Sequence, residues 1–132
     1  MRQRRLDIVS RNYPYLVAEC AGEVVGYAYA SPYRPRPAYR HTAENSVSVY
    51  LHPAWAGRGI GRQLMWALLA ECEARGLRQI VAIIGDSANC ASIGLHRSLG
   101  FREVGGVGFK FGRWVDSVLM QRDLGAGDTT PP

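Results

Sequence analysis

Apolar and polar residues follow two different periods on either side of a glycine-rich segment in this 132-residue chain. Over residues 42–52, apolar residues alternate with polar ones, as a strand with one buried face requires, at Val47, Val49 and Leu51. Over residues 59–75 an apolar residue recurs at every fourth position, which is typical of an amphipathic helix, at Ile60, Leu64, Leu68 and Cys72. The pattern predicts a strand, a glycine-rich connection and a helix in direct succession.

A helix and a strand pair are predicted before this unit. Residues 2–12 form a polar helical segment, and residues 15–20 and 23–31 have the composition of two strands. The Ala21-Gly22 pair between them is typical of a hairpin turn. We therefore expect the two strands to be antiparallel neighbours.

Another strand is predicted after the amphipathic helix, which Gly76 is expected to end. Residues 79–84 contain a continuous apolar run, which favours a central strand buried on both faces. Because one helix separates this strand from residues 42–52, the two strands are expected to be parallel neighbours.

The last part of the chain is predicted to add a helix over residues 89–99 and a hairpin from residues 101–111 and 115–124. Residues 125–132 are expected to form a flexible tail. No repeat or linker divides the chain, so we expect a single domain over residues 1–124.

Composition limits the class of protein. Sixteen Lys and Arg against eleven Asp and Glu give a net charge of +5, and 47% of the residues are hydrophobic. Such a chain can bury a core, so a disordered protein is excluded. No apolar run approaches the roughly 20 residues that span a bilayer, and residues 1–5 are not followed by the apolar segment of a secretory signal. We expect a cytoplasmic protein with no membrane partner.

The three cysteines, Cys20, Cys72 and Cys90, lack the spacing of a disulfide framework or a zinc site. We expect them to be reduced and the protein to hold no metal. Cys90 could carry an acyl group, but no histidine can be placed beside it from sequence, so this role is disfavoured.

The glycine-rich segment itself is a candidate anion site. Gly57, Gly59 and Gly61 leave backbone amides uncovered at the start of a helix, where an anion is favoured. Arg58 and Arg62 flank these glycines and could neutralise a pyrophosphate without a metal. The spacing of these glycines and the residues that follow them match neither a dinucleotide-binding fingerprint nor a nucleotide P-loop. A tight turn without a ligand is the alternative interpretation of the same three glycines.

Two motifs together resemble a known family. Residues 57–61 after a strand, followed by residues 89–101 with the sequence NCASIGLHRSLGF, are similar to the acetyl-CoA-binding core of the GNAT N-acetyltransferases. Residues 31–40, 42–46 and 109–114 are similar to the phosphinothricin N-acetyltransferase subfamily. The resemblance implies an α/β fold of GNAT type, with a mixed, largely antiparallel sheet, a central splayed parallel strand pair and flanking helices.

The resemblance also implies acetyl-CoA as co-substrate and assigns residues to it. The pantetheine arm would pair with the strand residues Val49, Tyr50 and Leu51. The pyrophosphate would lie against the loop residues Ala56, Gly57, Arg58, Gly59, Ile60, Gly61 and Arg62. From the second helix, Asn89 and Ser92 would contact the arm.

Acetyl transfer needs a neutral amine, so a general base is expected. In the subfamily a glutamate at the start of this strand has that role, which here falls to Glu44. An ungapped count back from the glycines places Ser46 there instead, about 6 to 7 Å further along a strand. A bulge could absorb this shift. His96 replaces the tyrosine that many superfamily members use as the acid, although packing is an equally ordinary role for it.

The loop of residues 32–40 is the candidate acceptor site. Its prolines, Pro32, Pro35 and Pro37, remove backbone donors, so it is expected to continue neither neighbouring element. Its cationic and aromatic side chains could orient an anionic amino-acid-like acceptor, at Arg34, Arg36, Tyr39 and Arg40, and Ser46 on the following strand is assigned to the same acceptor site. The alternative is that these arginines are exposed to solvent and bind no acceptor. No aromatic-basic RNA motif accompanies them, so no nucleic acid partner is expected.

We therefore expect an acetyl-CoA-dependent N-acetyltransferase acting on a small amine such as phosphinothricin, methionine sulfoximine or methionine sulfone. A CoA-binding module without turnover, or a related enzyme with another acceptor, is the alternative. Family members begin with a further strand and helix before the segment that this chain matches. A misassigned start, a truncation and completion of the site by a partner subunit are three possible explanations of this difference. A homodimer is expected from the same resemblance.

Overall fold

Six strands form one sheet in the computed structural model, which describes residues 2–34, 36–49, 58–85, 90–110 and 113–131. The strands are β1 (Tyr15–Cys20), β2 (Glu23–Pro32), β3 (Thr42–Val49), β4 (Gln79–Ile84), β5 (Arg102–Lys110) and β6 (Arg113–Asp123). The α-helices are α1 (Arg2–Ser10), α2 (Ile60–Ala74) and α3 (Cys90–Ser98), and a short 3₁₀ helix spans Pro37–Tyr39. The order across the sheet is β1-β2-β3-β4-β6-β5.

The sheet is antiparallel except for the pair that the sequence predicted to be parallel. β3 and β4 pair in parallel, and all other neighbouring strands pair antiparallel. The predicted mixed sheet with flanking helices is therefore confirmed. The hairpin turn between β1 and β2 is also confirmed, with positive φ at Ala21 and Gly22.

The parallel pairing is short. It covers only Thr42 with Gln79, Ala43 with Ile80 and Glu44 with Val81. Beyond these positions β3 stays paired with β2 as far as Val49, and β4 stays paired with β6 as far as Ile84. Among the residues described, the two central strands have thus separated at their carboxyl ends, as the expected splayed pair requires.

α2 covers one face of the sheet. Its buried side chains, Ile60, Leu64, Met65, Leu68, Leu69 and Cys72, include every position that the helical period predicted. The strands beneath present fully buried small residues, Ala28, Ala30 and Ala43, which let the helix approach closely. Gly76 follows the helix with a φ of 80°, as expected for a residue that ends it.

Three sequence expectations need correction. α1 ends at Ser10 rather than residue 12, because Asn12 has a left-handed φ of 62°. Pro32 continues β2 and pairs with Ala43, since a proline at a strand end removes little of the ladder. β4 is buried on both faces only as far as Ala82, because Val81 is 4% exposed whereas Ile83 on the same face is 51% exposed.

The tail expected to be flexible follows β6 as a series of turns. Arg78 donates a hydrogen bond from Nη2 to the hydroxyl oxygen of Thr130 at 2.9 Å. Leu124 is fully buried, and its N–H donates to the carbonyl of Arg78 at 3.0 Å. Flexibility of the tail stays a prediction, and motion there would have to break these contacts.

In the part of the chain that the structure describes, no helix could cross a membrane. The longest of these helices, α2, has 15 residues, against the roughly 20 that a bilayer requires.

Candidate active site

A cleft opens where β3 and β4 separate. Its volume is about 210 Å³, and it is lined by Asn45, Ser46, Ala82, Ile83, Ile84, Gly85, Ser92 and His96. These residues come from the middle of β3, from the second half of β4 with the glycine that follows it, and from α3. Both α2 and α3 begin just beyond the carboxyl ends of these strands, so their positive helix ends lie at the same edge of the sheet.

Strand alternation divides the functional side chains of β3 between two faces. Asn45 contacts Met65 on α2, so it points toward the helix-covered face. Glu44 and Ser46, one position to either side, point to the opposite face. The pairing of β2 with β3 is continuous from Ala43 to Val49. No bulge therefore absorbs the predicted register shift within these residues.

His96 is 3% exposed and is held at both ring nitrogens. Nδ1 lies 2.8 Å from the carbonyl oxygen of Ser92, and Nε2 lies 3.3 Å from Nδ2 of Asn45. A carbonyl can only accept, so Nδ1 carries the hydrogen and donates it. Burial lowers the pKa of His96 below its usual value, and the Ser92 carbonyl opposes this only partly. The neutral ring therefore presents an accepting Nε2 to the carboxamide.

Asn45 is the functional candidate that sequence reasoning missed. Its Nδ2 lies 3.7 Å from Sδ of Met65 as well as near His96, whereas its Oδ1 has no hydrogen-bond partner among the described residues. An unsatisfied buried acceptor costs about 1–3 kcal/mol. A signal was present in the sequence, since Asn45 interrupts the apolar side of an alternating strand.

Glu44 lies at the last paired position before the strands separate. It is half-buried, and burial raises the pKa of its carboxyl above the usual value. The positive charge of Arg34 acts in the opposite direction and only partly offsets this effect. Ser46 lines the cleft directly, whereas Glu44 stands next to its closed end.

The loop before β3 brings Arg34 to Glu44. The Arg34 guanidinium lies over the ring of Tyr33, 4.9 Å from its centroid, and Tyr39 packs edge-on against the same ring at 5.4 Å. Arg40 turns aside and donates from Nε to Nε2 of His41 at 3.1 Å. Arg36 is exposed at the start of the 3₁₀ helix. Of these loop residues, Arg34 acts electrostatically on the Glu44 carboxyl, and Tyr39 packs against the Tyr33 ring that lies beneath Arg34.

The described part of the glycine segment has the geometry of an open helix start. Gly59 caps α2 with a left-handed φ of 73° and without a side-chain hydrogen bond. Arg62 donates to the hydroxyl of Ser98 at 2.7 Å, which ties α2 to α3, and Arg58 is exposed. Other predicted cofactor contacts lie outside the described residues, namely Tyr50, Leu51, Ala56, Gly57 and Asn89.

The cysteines are free, as expected. Cys90 is exposed at the start of α3 and does not line the cleft. Cys72 is buried on the inner face of α2, and burial raises the pKa of its thiol to about 12, so it is an inert packing residue. Among the described residues, no group of three or more His, Cys, Asp or Glu could hold a metal ion.

Comparison with known proteins places this geometry among acetyltransferases. The Acetyltransferase (GNAT) family profile matches residues 2–101. Phosphinothricin N-acetyltransferase of Alcaligenes faecalis is 54% identical, over 100% of this chain and 68% of that protein. The L-methionine sulfoximine/L-methionine sulfone acetyltransferase of Pseudomonas aeruginosa is 46% identical, over 98% of this chain and 77% of that protein.

A solved structure is similar over the whole chain as well. It is a GNAT superfamily phosphinothricin acetyltransferase from Sinorhizobium meliloti in complex with acetyl-CoA, with a TM-score of 0.88 and 46% identity. The alignment covers 100% of this chain and 72% of that one. Sequence and fold therefore point to the same group of proteins.

The buried histidine predicts a pH dependence of stability. The folded state binds a proton at His96 less readily than the unfolded chain, whose histidine pKa is near 6.5. The free energy of unfolding should therefore fall as the pH drops below 6.5, and His96→Gln should weaken that fall. Urea unfolding between pH 5 and 8 measures this. His41→Gln, outside the cleft, is the matched control and should retain the wild-type fall; equal curves for wild type and His96→Gln would contradict the assignment.

Proposed function

The chain belongs to the GNAT acetyltransferase family, and from this premise we propose that it acetylates the amine of a small amino-acid-like acceptor with acetyl-CoA. The acceptor is of the phosphinothricin or methionine sulfoximine and sulfone type. The observation that carries the proposal is the cleft between two parallel strands that separate after three paired positions. The names of the relatives favour an active enzyme over a CoA-binding module without turnover.

The cleft fits the thioester arm of acetyl-CoA. Backbone groups of β3 after Glu44 have no partner on β4 among the described residues, and an extended chain with amide groups can pair with them. Val49 lies at the described end of this strand, where the arm would pair. Ser92 lines the cleft from α3, and the start of α2 at Gly59, with Ile60, Gly61 and the nearby Arg58 and Arg62, would receive the pyrophosphate.

Glu44 acts as the general base. A carboxyl whose pKa is raised by burial is a better proton acceptor near neutral pH than an exposed one. Glu44 takes a proton from the acceptor's ammonium group, through a water molecule, and frees the lone pair that attacks the acetyl carbonyl. Ser46 has no comparable basicity, so it contributes a hydrogen bond rather than proton removal.

The departing thiolate needs little assistance, because a thiol has a pKa near 8.5. His96 would have to gain a proton at Nε2 before it could donate one, and burial opposes this. Its described hydrogen bonds favour an orienting role over acid catalysis.

Arg34 recognises the acidic end of the acceptor. Its guanidinium is fixed by the Tyr33 ring and lies close enough to Glu44 to influence its pKa. A carboxylate bound there would hold the amine of the same small molecule toward the base. Tyr39 supports the Tyr33 ring, and Arg36 and Arg40 add positive charge to the entrance.

We also propose a cytoplasmic homodimer. β1 is an edge strand in the described sheet, and Val17 and Val24 near it are 55% and 49% exposed, which favours a covered surface. Light scattering after size-exclusion chromatography would show the mass of a monomer if this part of the proposal is wrong.

The proposed activity is tested by thiol release from acetyl-CoA in the presence of separate acceptors. Phosphinothricin, methionine sulfoximine and methionine sulfone should be turned over, whereas a polyamine, which has no anionic group for Arg34, should not. Calorimetry with acetyl-CoA alone checks cofactor binding. Binding without turnover of any acceptor would support the non-catalytic alternative, and turnover of the polyamine alone would refute the acceptor class.

Glu44→Gln should lower kcat roughly 10²-fold or more, because the amide cannot accept the proton. The affinity for acetyl-CoA, measured by calorimetry, should stay close to that of the wild type. Ser46→Ala is the comparison two residues along the same face and should have a smaller effect on kcat. The ungapped register would be right instead if Ser46→Ala damaged turnover and Glu44→Gln did not.

Arg34→Gln should raise KM for the acceptor about 10- to 100-fold, the loss expected for a hydrogen bond between charged groups. KM for acetyl-CoA should change little. Arg97→Gln removes an equivalent charge from the surface pair with Glu103 and serves as the control. Steady-state kinetics with each substrate varied in turn measures both constants; an unchanged acceptor KM in Arg34→Gln would remove Arg34 from the site.

A further inference from the structure

One buried hydrogen-bond acceptor, in a residue that lines the cleft, has no partner in the described part of the protein. Asn45 is only 8% exposed and lines the cavity, yet its Oδ1 has no partner among the described residues. Buried carboxamide oxygens are paired in the great majority of proteins. A buried acceptor without a partner, in a residue that lines a ligand-sized cleft, therefore indicates a donor that arrives with the ligand.

The direction of the carboxamide is fixed by a chain of hydrogen bonds. The Ser92 carbonyl requires the hydrogen of His96 to be on Nδ1, so Nε2 of the neutral ring can only accept. Asn45 must then present its NH₂ group to Nε2, at 3.3 Å. Turning the carboxamide over would place Oδ1 against a lone pair. Oδ1 is consequently held away from His96.

Met65 reinforces the same orientation. Its Sδ lies 3.7 Å from Nδ2 of Asn45 and is a weak acceptor, so it too favours the NH₂ group on that side. Met65 is fully buried on α2, where packing fixes its position. Both neighbours of the NH₂ group are therefore acceptors, and neither can satisfy Oδ1.

We propose that Asn45 is a positioning residue for the thioester arm, whose nearer amide N–H donates a hydrogen bond to Oδ1. This inference rests on the proposed function, since it requires acetyl-CoA in the cleft. The arm contains secondary amides whose N–H groups lose water on entering a narrow cleft and need an acceptor there. Asn45 stands one residue beyond the last parallel pair, where the cleft between the strands begins.

His96 acquires a specific task from this arrangement. It does not exchange a proton with the substrate but holds the carboxamide with its oxygen directed away from the imidazole ring. Ser92 contributes through its backbone carbonyl, which sets the tautomer of His96. His96 in turn orients the carboxamide of Asn45, and the carboxamide binds the ligand.

Calorimetric binding of two ligands to wild type and Asn45→Ala tests the proposal. Acetyl-CoA carries the amide-containing arm, whereas adenosine 3′,5′-bisphosphate is the nucleotide half without it. Asn45→Ala should bind acetyl-CoA about 3- to 10-fold more weakly, as expected for one lost hydrogen bond, and should bind the bisphosphate as the wild type does. Kinetically, KM for acetyl-CoA should rise while KM for the acceptor stays constant.

The outcomes separate this inference from the proposed function. The role of Asn45 would be overturned if Asn45→Ala bound acetyl-CoA as tightly as the wild type, or if its affinities for both ligands fell by the same factor. A wild type that binds no acetyl-CoA would overturn the proposed function itself. Independently of any variant, ¹⁵N NMR of the wild-type protein should show His96 with its hydrogen on Nδ1; a hydrogen on Nε2 would break the chain of hydrogen bonds.

Discussion

The short parallel ladder between β3 and β4 is the constraint on which the site depends. Within the described ranges, only three residues of β3 pair with β4, and each strand then continues with its antiparallel partner on the outer side. Two strands anchored in this way cannot close the gap between them without breaking a longer ladder. Because backbone N–H and C=O groups need partners, the open end of the pair is suited to an extended ligand that supplies them.

Consecutive residues of β3 point to opposite faces of the sheet, so its polar side chains lie in two different environments. Asn45 points under α2 and α3, where the side chains are buried and their hydrogen bonds are fixed. Glu44 points to the other face, toward the loop that carries Arg34. The cleft between the strands thus has buried, hydrogen-bonded side chains on one face and a carboxylate with a nearby guanidinium on the other.

Burial acts on both titratable groups of the site and favours the neutral form of each. The pKa of Glu44 rises and that of His96 falls, in both cases mainly through loss of contact with water. For Glu44 this strengthens a base. For His96 it secures one tautomer, because a neutral ring with Nδ1 donating to Ser92 can only accept at Nε2. One physical cause thus raises the basicity of one residue and favours a single tautomer in the other.

The sequence by itself determined the elements and the family, because periodicity and short motifs are local properties. The alternation through Val47 and Val49 and the helical period from Ile60 gave the strand and helix around the cleft, and the order of elements gave their parallel pairing. The sequence could not give the exposure of Ile83, since this depends on what covers the second face. Only the tertiary structure brought Asn45 to His96, 51 residues apart, because a hydrogen bond between distant segments is decided by packing.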